Sequence, residues 1–148
     1  MIRSCSAKAA LIGVIVCGAT ARETVPPRLD IRTEKLETFF RAYNCPAPHH
    51  IDEYLSAADA KSIDYRLLPA ISVVESTCGS YERMNNRWGW NNAQSGFPSV
   101  REGIEFISAQ LAENPSYKDK PIEEKLVTYN PDWLYVRQVQ RLMRQIGN

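Results

Sequence analysis

Residues 67–76 read LLPAISVVES, and this apolar segment decides the fold class. Its large side chains recur at the three- and four-residue spacing of one helical face, which predicts an amphipathic helix packed against a core. Asp64 is a suitable N-cap for this helix, and Gly79 is typical of a helix end. Pro69 lies near enough to the predicted start to be tolerated with a bend at most. The predicted buried stripe consists of Leu67, Leu68, Ile71 and Val74.

The same helical spacing recurs on both sides of this segment, whereas residues 80–98 show no period and are rich in asparagine, glycine and proline. That interruption predicts a loop region with a short β element. Ser99 and Glu102 form a capping box for the helix after the loop, and Pro121 suits the first position of a shorter helix. We therefore expect a mainly-α domain of five or six helices with a small loop/β lobe.

The composition limits the classes of protein to which the chain can belong. The chain has 148 residues, of which 44% are hydrophobic and 24% charged, as is typical of one globular domain. The formal net charge of +1 provides no strong basic field, so we expect no nucleic-acid partner. No apolar stretch is long enough for a membrane-spanning helix, and dinucleotide-binding, P-loop and Cys-x-x-Cys patterns are absent. We expect a monomer without a cofactor.

The first 21 residues predict a secretory signal peptide. They carry two basic residues and no acid, then an apolar run over residues 9–17, and they end on Ala-Thr-Ala. Cleavage there would leave a linker of residues 22–32 and a domain of residues 33–148, in the periplasm or outside the cell. Two alternatives are lipidation at Cys17, which the branched residues before it disfavour, and retention of an ordinary apolar N-terminus.

Removal of the signal peptide would leave two cysteines, Cys45 and Cys78. In an exported protein such a pair is expected to form a disulfide, and the alternative is two buried free thiols. Two cysteines and the His49-His50 doublet do not have the spacing of a zinc site, so we expect no metal. The doublet is instead typical of a surface feature at a helix start.

Glu75 is the residue most informative about function. On a helical wheel it falls between Ile71 and Leu68, which places a carboxylate on the apolar face. Burial without a partner raises the pKa of a carboxyl group, which then stays protonated near neutral pH and can act as a general acid. The alternative is that Glu75 reaches solvent at the helix end or pairs with an arginine.

Residues 85–92 read NNRWGWNN and follow the predicted helix closely. Indole rings stack on the apolar faces of sugars, and amides form hydrogen bonds with hydroxyl and N-acetyl groups. This composition favours a carbohydrate site near Glu75. The alternative is that one tryptophan belongs to the core and that the asparagines form turns.

Three segments resemble the lysozyme-like superfamily. Residues 67–76 are similar to the helix in which a catalytic Glu-Ser pair faces the glycan groove. Residues 85–91 are similar to the NN-x-(F/W)-G-W segment of bacterial glucosaminidase domains, which are described as mannosyl-glycoprotein endo-β-N-acetylglucosaminidase-like. Residues 129–131, Tyr-Asn-Pro, resemble the Tyr-Asn motif late in these domains and in lytic transglycosylases. The resemblance covers roughly residues 36–146 and implies a compact lysozyme-like fold.

The resemblance also implies a reaction, the cleavage of β-1,4 bonds between N-acetylglucosamine and N-acetylmuramic acid in peptidoglycan. The implied partner is a peptidoglycan glycan strand. The resemblance also implies roles for two residues. Glu75 would protonate the leaving glycosidic oxygen, and Tyr129 would orient the reacting sugar or stabilise developing charge. The residues that the resemblance places along the substrate are Ser76, Asn86, Trp88, Trp90, Asn91 and Asn130.

A convincing second acid, which two-carboxylate glycosidases require, is missing. Glu82 is the only acid in residues 80–97, Glu102 caps a helix, and Asp132 follows the Tyr-Asn-Pro segment. Two reactions are possible with one catalytic carboxyl group. One is hydrolysis assisted by the N-acetyl group of the substrate, and the other is attack by the muramyl 6-hydroxyl, as in lytic transglycosylases. A further hypothesis is a wall-binding protein without activity on the same scaffold.

Overall fold

Six α-helices account for most of residues 30–148, the part of the chain that this computed structural model describes. They are α1 (Ile31–Ala42), α2 (Ile51–Lys61), α3 (Leu67–Ser76), α4 (Val100–Glu113), α5 (Ile122–Tyr129) and α6 (Trp133–Gly147). The long loop between α3 and α4 contains a 3-10 helix (Trp90–Ala93) and an isolated β-bridge between Arg83 and Asn86. The prediction of a mainly-α domain is confirmed, and within the described residues the predicted β element amounts to this bridge.

The core is built around α3, because most of its side chains are apolar. This helix packs against α6, while α2 packs against α4 and α1 contacts both α2 and α6. Ile71 of α3 and Val136 and Val139 of α6 are fully buried. Burial of each such side chain stabilises the fold by about 1.5–3 kcal/mol. The packing of α6 on α3 also brings side chains of α6 to the end of α3, where Glu75 lies.

The helical domain begins slightly earlier than the sequence predicts. Asp30 accepts a hydrogen bond from the backbone N–H of Arg32 and thereby caps α1, which starts at Ile31. The first helix thus starts two residues before residue 33, the predicted start of the domain. The predicted signal peptide and residues 22–29 of the predicted linker lie outside the described residues.

The start of α3 also differs from the prediction. Asp64 was expected as the N-cap, but its carboxylate accepts the backbone N–H of Arg66 at 3.0 Å and pairs with the Arg66 guanidinium at 2.6 Å. These contacts form a turn, and the helix begins only at Leu67. Pro69 is therefore the third helical residue, a position that needs no intrahelical N–H donor, so the proline fits without a bend.

A disulfide joins Cys45, in the turn after α1, to Cys78, in the turn after α3, with 5.3 Å between the Cα atoms. The predicted bond is thus confirmed, and the alternative of two free thiols is not. A sequence separation of 33 residues corresponds to a stabilisation of about 3–4 kcal/mol in the chain-entropy model. The bond fixes the end of α3 close to Glu75.

No helix within residues 30–148 has the length and apolar character needed to cross a membrane. Those residues also contain no group of three or more histidine, cysteine, aspartate and glutamate side chains placed to hold a metal ion.

Candidate functional site

Glu75 lies in the last turn of α3, and its side chain is exposed. The expected burial on the apolar face was wrong in this respect, because in the last turn Ser76 is buried whereas Glu75 lies on the side that the core does not cover. Protein atoms nevertheless surround the carboxyl group on several sides, and the resulting loss of hydration raises its pKa. Glu75 forms no ion pair with any other residue in 30–148. The carboxyl group is therefore accessible to a ligand and holds its proton more tightly than a free glutamate does.

Gly89 forms one wall around this carboxyl group. A Cβ atom at Gly89 would lie 2.9 Å from the Glu75 carboxyl carbon and closer still to Oε2. The residue also has φ +63°, a left-handed conformation that favours glycine. Only glycine meets both conditions, so the glycine between the two tryptophans lets the loop backbone reach the carboxyl group.

Trp88 belongs to the core and does not line a groove. Its side chain is fully buried, and its ring makes edge contacts with Tyr54 and Phe97 at centroid distances of 6.2 and 6.3 Å. The expectation that Trp88 contacts substrate was wrong, because this indole anchors the loop to the core. The alternative assignment of one tryptophan to the core is the correct one.

Asn86 and Ser76 are likewise buried and hold the loop in place. The Asn86 amide donates to the backbone oxygens of Trp90 and Ser95 at 2.9 and 2.8 Å, and its oxygen accepts the N–H of Trp90. The Ser76 hydroxyl donates to the backbone oxygen of Arg87 at 2.7 Å. Both residues were expected to contact substrate, but their polar atoms are used within the protein. They act by fixing the loop against the end of α3.

Trp90 and Asn91 do line a cavity, together with Tyr129. The cavity has a volume of about 340 Å³, and the centroid of the Trp90 ring lies 5.7 Å from that of Tyr129. Trp90 is half-buried and Asn91 is exposed, so both remain accessible from solvent. The other residues around this cavity, none of which the sequence analysis selected as substrate contacts, are Gly89, Asn92, Ser95 and Tyr117.

Tyr129 joins α5 to the loop. Its hydroxyl donates to the backbone oxygen of Trp88 at 2.5 Å, so it holds the peptide immediately before Gly89. Burial and the nearby charge of Glu75 raise the pKa of Tyr129 well above its usual range, which keeps the hydroxyl protonated as a donor. Asn130, also expected at the substrate, instead accepts the backbone N–H of Asp132 in the turn before α6.

Tyr135 is a site residue that the sequence analysis missed. It is 6% exposed, and its ring is parallel to that of Tyr129, with 6.3 Å between centroids and 2° between planes. Its hydroxyl is buried and has no hydrogen-bond partner of normal geometry, yet it lies close enough to lower the pKa of Glu75. Helical spacing could have found it, because Tyr135 precedes the buried Val139 by four positions on the apolar face of α6.

The other acids considered for catalysis are engaged elsewhere. Glu82 pairs with the buried guanidinium of Arg87 at 2.9 Å. The Ser99 hydroxyl accepts the backbone N–H of Glu102, as predicted for a cap, and donates to the Glu102 carboxylate. Asp132 caps α6 by accepting the backbone N–H of Leu134. Glu75 is therefore the acid in this group whose carboxyl group is not committed to an ion pair or a helix cap.

Comparisons of the chain with protein-family models, with curated proteins and with solved structures find no match. The lysozyme-like resemblance thus depends on the sequence motifs alone. The structure divides the residues of those motifs into two groups. Trp90, Asn91 and Tyr129 line an accessible cavity, and Glu75 lies against Gly89, which lines the same cavity. The remaining motif residues hold the surrounding backbone.

Proposed function

We propose that this protein is an exported peptidoglycan glycosidase that cleaves β-1,4 bonds between N-acetylglucosamine and N-acetylmuramic acid. Glu75 acts first as general acid and then as general base. The observation that carries the proposal is an accessible carboxyl group whose pKa is raised by its surroundings and which lies against Gly89, a residue that lines an aromatic and amide-lined cavity. A raised pKa leaves a larger fraction of the carboxyl group protonated at a given pH, and it is this proton that a general acid gives to the glycosidic oxygen.

The cavity next to Glu75 has the chemistry of a sugar site. The rings of Trp90 and Tyr129 offer apolar faces for a pyranose, and the amides of Asn91 and Asn92 offer hydrogen bonds to hydroxyl and N-acetyl groups. A volume of about 340 Å³ is at the lower end of the range for ligand pockets. It suits one sugar ring of a longer strand, with the remainder of the strand outside the cavity.

Among the acids considered for catalysis, Glu75 alone has an uncommitted carboxyl group, which favours the two reactions that need no second carboxylate. In the first, the carbonyl oxygen of the substrate's N-acetyl group attacks the anomeric carbon while the glycosidic oxygen leaves with the proton of Glu75. Water then opens the cyclic intermediate and gives its proton to the Glu75 carboxylate. In the second, the glycosidic oxygen likewise leaves with the proton of Glu75. The muramyl 6-hydroxyl of the same sugar then attacks the anomeric carbon in place of water, gives its proton to the Glu75 carboxylate and forms an anhydro sugar.

The proposal includes export to the periplasm or the cell exterior. Two features support it: the signal-like N-terminal sequence, and a disulfide of the kind that persists in oxidising compartments. Peptidoglycan is reached from these compartments, so location and substrate are consistent with each other.

The test is digestion of purified peptidoglycan by the protein, by Glu75→Gln and by Glu105→Gln. Glu105 is a matched control because it is an exposed helical glutamate without an ion pair among the described residues. Mass spectrometry identifies the new sugar ends. Reducing ends from the wild type and the control, but not from Glu75→Gln, support a hydrolase, and anhydro-muramyl ends support a transglycosylase. Binding without release of fragments by any of the three proteins contradicts the enzymatic proposal and favours a wall-binding protein.

A further inference from the structure

The buried hydroxyl of Tyr135 has no conventional partner, which is unusual for a folded protein. A buried polar atom without a hydrogen bond costs about 1–3 kcal/mol, so nearly all such atoms are paired. Among residues 30–148, two other buried side-chain polar atoms share this property, the Tyr54 hydroxyl and the Trp88 Nε1. Of these three atoms, only the Tyr135 hydroxyl acts on the carboxyl group of Glu75.

Packing leaves Tyr135 little freedom to turn away from the cleft. It is the third residue of α6, whose start is fixed by the Asp132 cap, and its ring is stacked on that of Tyr129. Tyr129 is itself tied to the backbone oxygen of Trp88. The Tyr135 ring is thus held by Tyr129, which also holds the loop against Glu75.

We propose that Tyr135 is a positioning residue for Glu75, and that its hydroxyl donates to the inner carboxyl oxygen and thereby holds the acidic proton on the oxygen facing the cleft. This inference depends on the proposed function of Glu75 as the catalytic acid. Hydrogen bonds at catalytic sites are often poorly aligned before substrate binds and improve once it does. The loose contact in the free protein is the state expected before that step.

The charges around the pair favour this direction of donation. The titratable groups that face Tyr135 are Glu75, Tyr129 and Tyr117, and none of them is a cation. Burial and the Glu75 charge raise the pKa of Tyr135, so the phenol keeps its proton and acts as a donor. A carboxylic acid that accepts a hydrogen bond on one oxygen carries its own proton on the other, which is the oxygen available to the substrate.

The test begins with Tyr135→Phe, which keeps the ring, its stacking and its burial but removes the hydroxyl. We expect kcat on peptidoglycan to fall by about tenfold or more, the fold-change that corresponds to a hydrogen bond with a charged group, with little change in KM. The alkaline limb of the pH–activity profile should move to higher pH, because the carboxylate loses a donor. The urea midpoint should stay the same or rise, because an unpaired buried hydroxyl has been removed.

Tyr54→Phe is the matched control. Tyr54 is also a buried tyrosine without a hydrogen-bond partner of normal geometry, and burial raises its pKa to about 12. Its hydroxyl lies near Ser72, Arg87 and Trp88. We expect a similar change in stability and an unchanged kcat. An equal fall in kcat for both variants would indicate a general packing effect and overturn the proposal.

A second readout does not depend on catalysis. The carboxyl carbon of Glu75 can be titrated by NMR in the wild type and in Tyr135→Phe, without substrate. We expect a higher pKa for Glu75 in the variant. An equal pKa in both proteins overturns the inference even where peptidoglycan is cleaved. If the wild type cleaves nothing, the proposed function fails and the catalytic role of Tyr135 fails with it, while the titration still reports whether the two groups are in contact.

Discussion

The backbone of Gly89 lies directly against the carboxyl group of Glu75. The contact joins the end of α3 to the loop that follows it, and it accounts for an exposed glutamate with a raised pKa. The loop removes water from one side of the carboxyl group, and Gly89 and Trp90 of the same loop line the neighbouring cavity. Other contacts of the loop, including the buried Trp88 and the hydroxyl of Tyr129, hold Gly89 in this place.

Gly89→Ala adds only one methyl group, but we expect it to disturb the site strongly. The new methyl group would collide with the Glu75 carboxyl group, and alanine is strained at φ +63°. We expect a loss of about 1–3 kcal/mol in the free energy of unfolding and a large fall in activity. Urea denaturation and peptidoglycan digestion provide the measurements.

Gly147→Ala is the control for this substitution. A Cβ at Gly147 would meet the far end of the flexible Arg66 side chain, which can move aside, and the residue is helical. Alanine is also favoured over glycine in a helix. Its stability and activity should stay near those of the wild type. A Gly89→Ala protein that matched this control would contradict the close contact with Glu75.

Glu75→Gln should change stability in a pH-dependent manner. The pKa of Glu75 is raised in the folded state, so the native protein binds the proton more tightly than the unfolded chain does. Ionisation thus reduces stability as pH rises from the unfolded pKa through the folded one. The glutamine variant lacks this loss, so it should be more stable than the wild type near neutral pH and equally stable in acid.

Urea midpoints measured across the acid-to-neutral range test this expectation. The difference should be small, because the exposed side chain keeps part of its hydration. Glu105→Gln, which alters a carboxylate with no resolved contact, should show no such trend. A destabilised Glu75→Gln at neutral pH would mean that the charged carboxylate is stabilised in the fold, and it would remove the physical basis for a general acid.

The helices could be predicted from sequence because local signals and burial agree there. Spacing alone identified Leu67, Leu68 and Ile71 as buried residues of α3, although the fourth residue of the predicted stripe, Val74, is only half-buried. Spacing also identified Ser99 as the cap of α4. The cap of α3 was wrong because Asp64 satisfies the N–H of Arg66 within a turn, and a sequence pattern does not separate a turn from a helix start. The error moves the helix start but leaves the position of Glu75 on α3 unchanged.

Tyr129→Phe should show whether the Tyr129 hydroxyl holds the loop backbone or contacts the sugar. The hydroxyl donates to the backbone oxygen of Trp88, so its removal leaves a carbonyl next to Gly89 without that partner. We expect a loss of about 1–2 kcal/mol in the free energy of unfolding, together with a lower kcat. Unchanged stability with a higher KM would indicate that the hydroxyl serves the sugar, as the family resemblance implies. Tyr43→Phe, which removes an exposed hydrogen bond to Gln145, should have a smaller effect on stability and none on kcat.

The site was harder to predict than the helices because the loop has no period. Composition alone identified the segment of residues 85–92, but Trp88 and Trp90 look equivalent in sequence. Their difference arises from tertiary packing, since one indole fills the space beside Tyr54 and the other faces the cavity. The approach of Gly89 to Glu75 likewise depends on how the loop folds back on α3.

Amide substitutions of the remaining acids test whether Glu75 acts without a second carboxylate. Asp132→Asn keeps an N-cap for α6, because asparagine caps helices as well as aspartate does. Glu102→Gln keeps the capping box, in which glutamine is equivalent to glutamate. Each change removes a negative charge and leaves the local hydrogen bonds possible. We therefore expect both proteins to retain the stability and the peptidoglycan-cleaving rate of the wild type within about twofold, a difference of about 0.4 kcal/mol.

Glu82 needs a different experiment, because Glu82→Gln would leave the buried guanidinium of Arg87 without its partner. Removal of one member of a buried ion pair costs about 3–5 kcal/mol, so a fall in activity could reflect unfolding. The double variant Glu82→Gln/Arg87→Met removes both charges and limits that loss. Cleavage by this folded double variant is the expected result. A folded variant of Glu82, Glu102 or Asp132 that lost activity by several orders of magnitude would identify a second carboxylate, and the mechanism would then be that of a two-acid glycosidase.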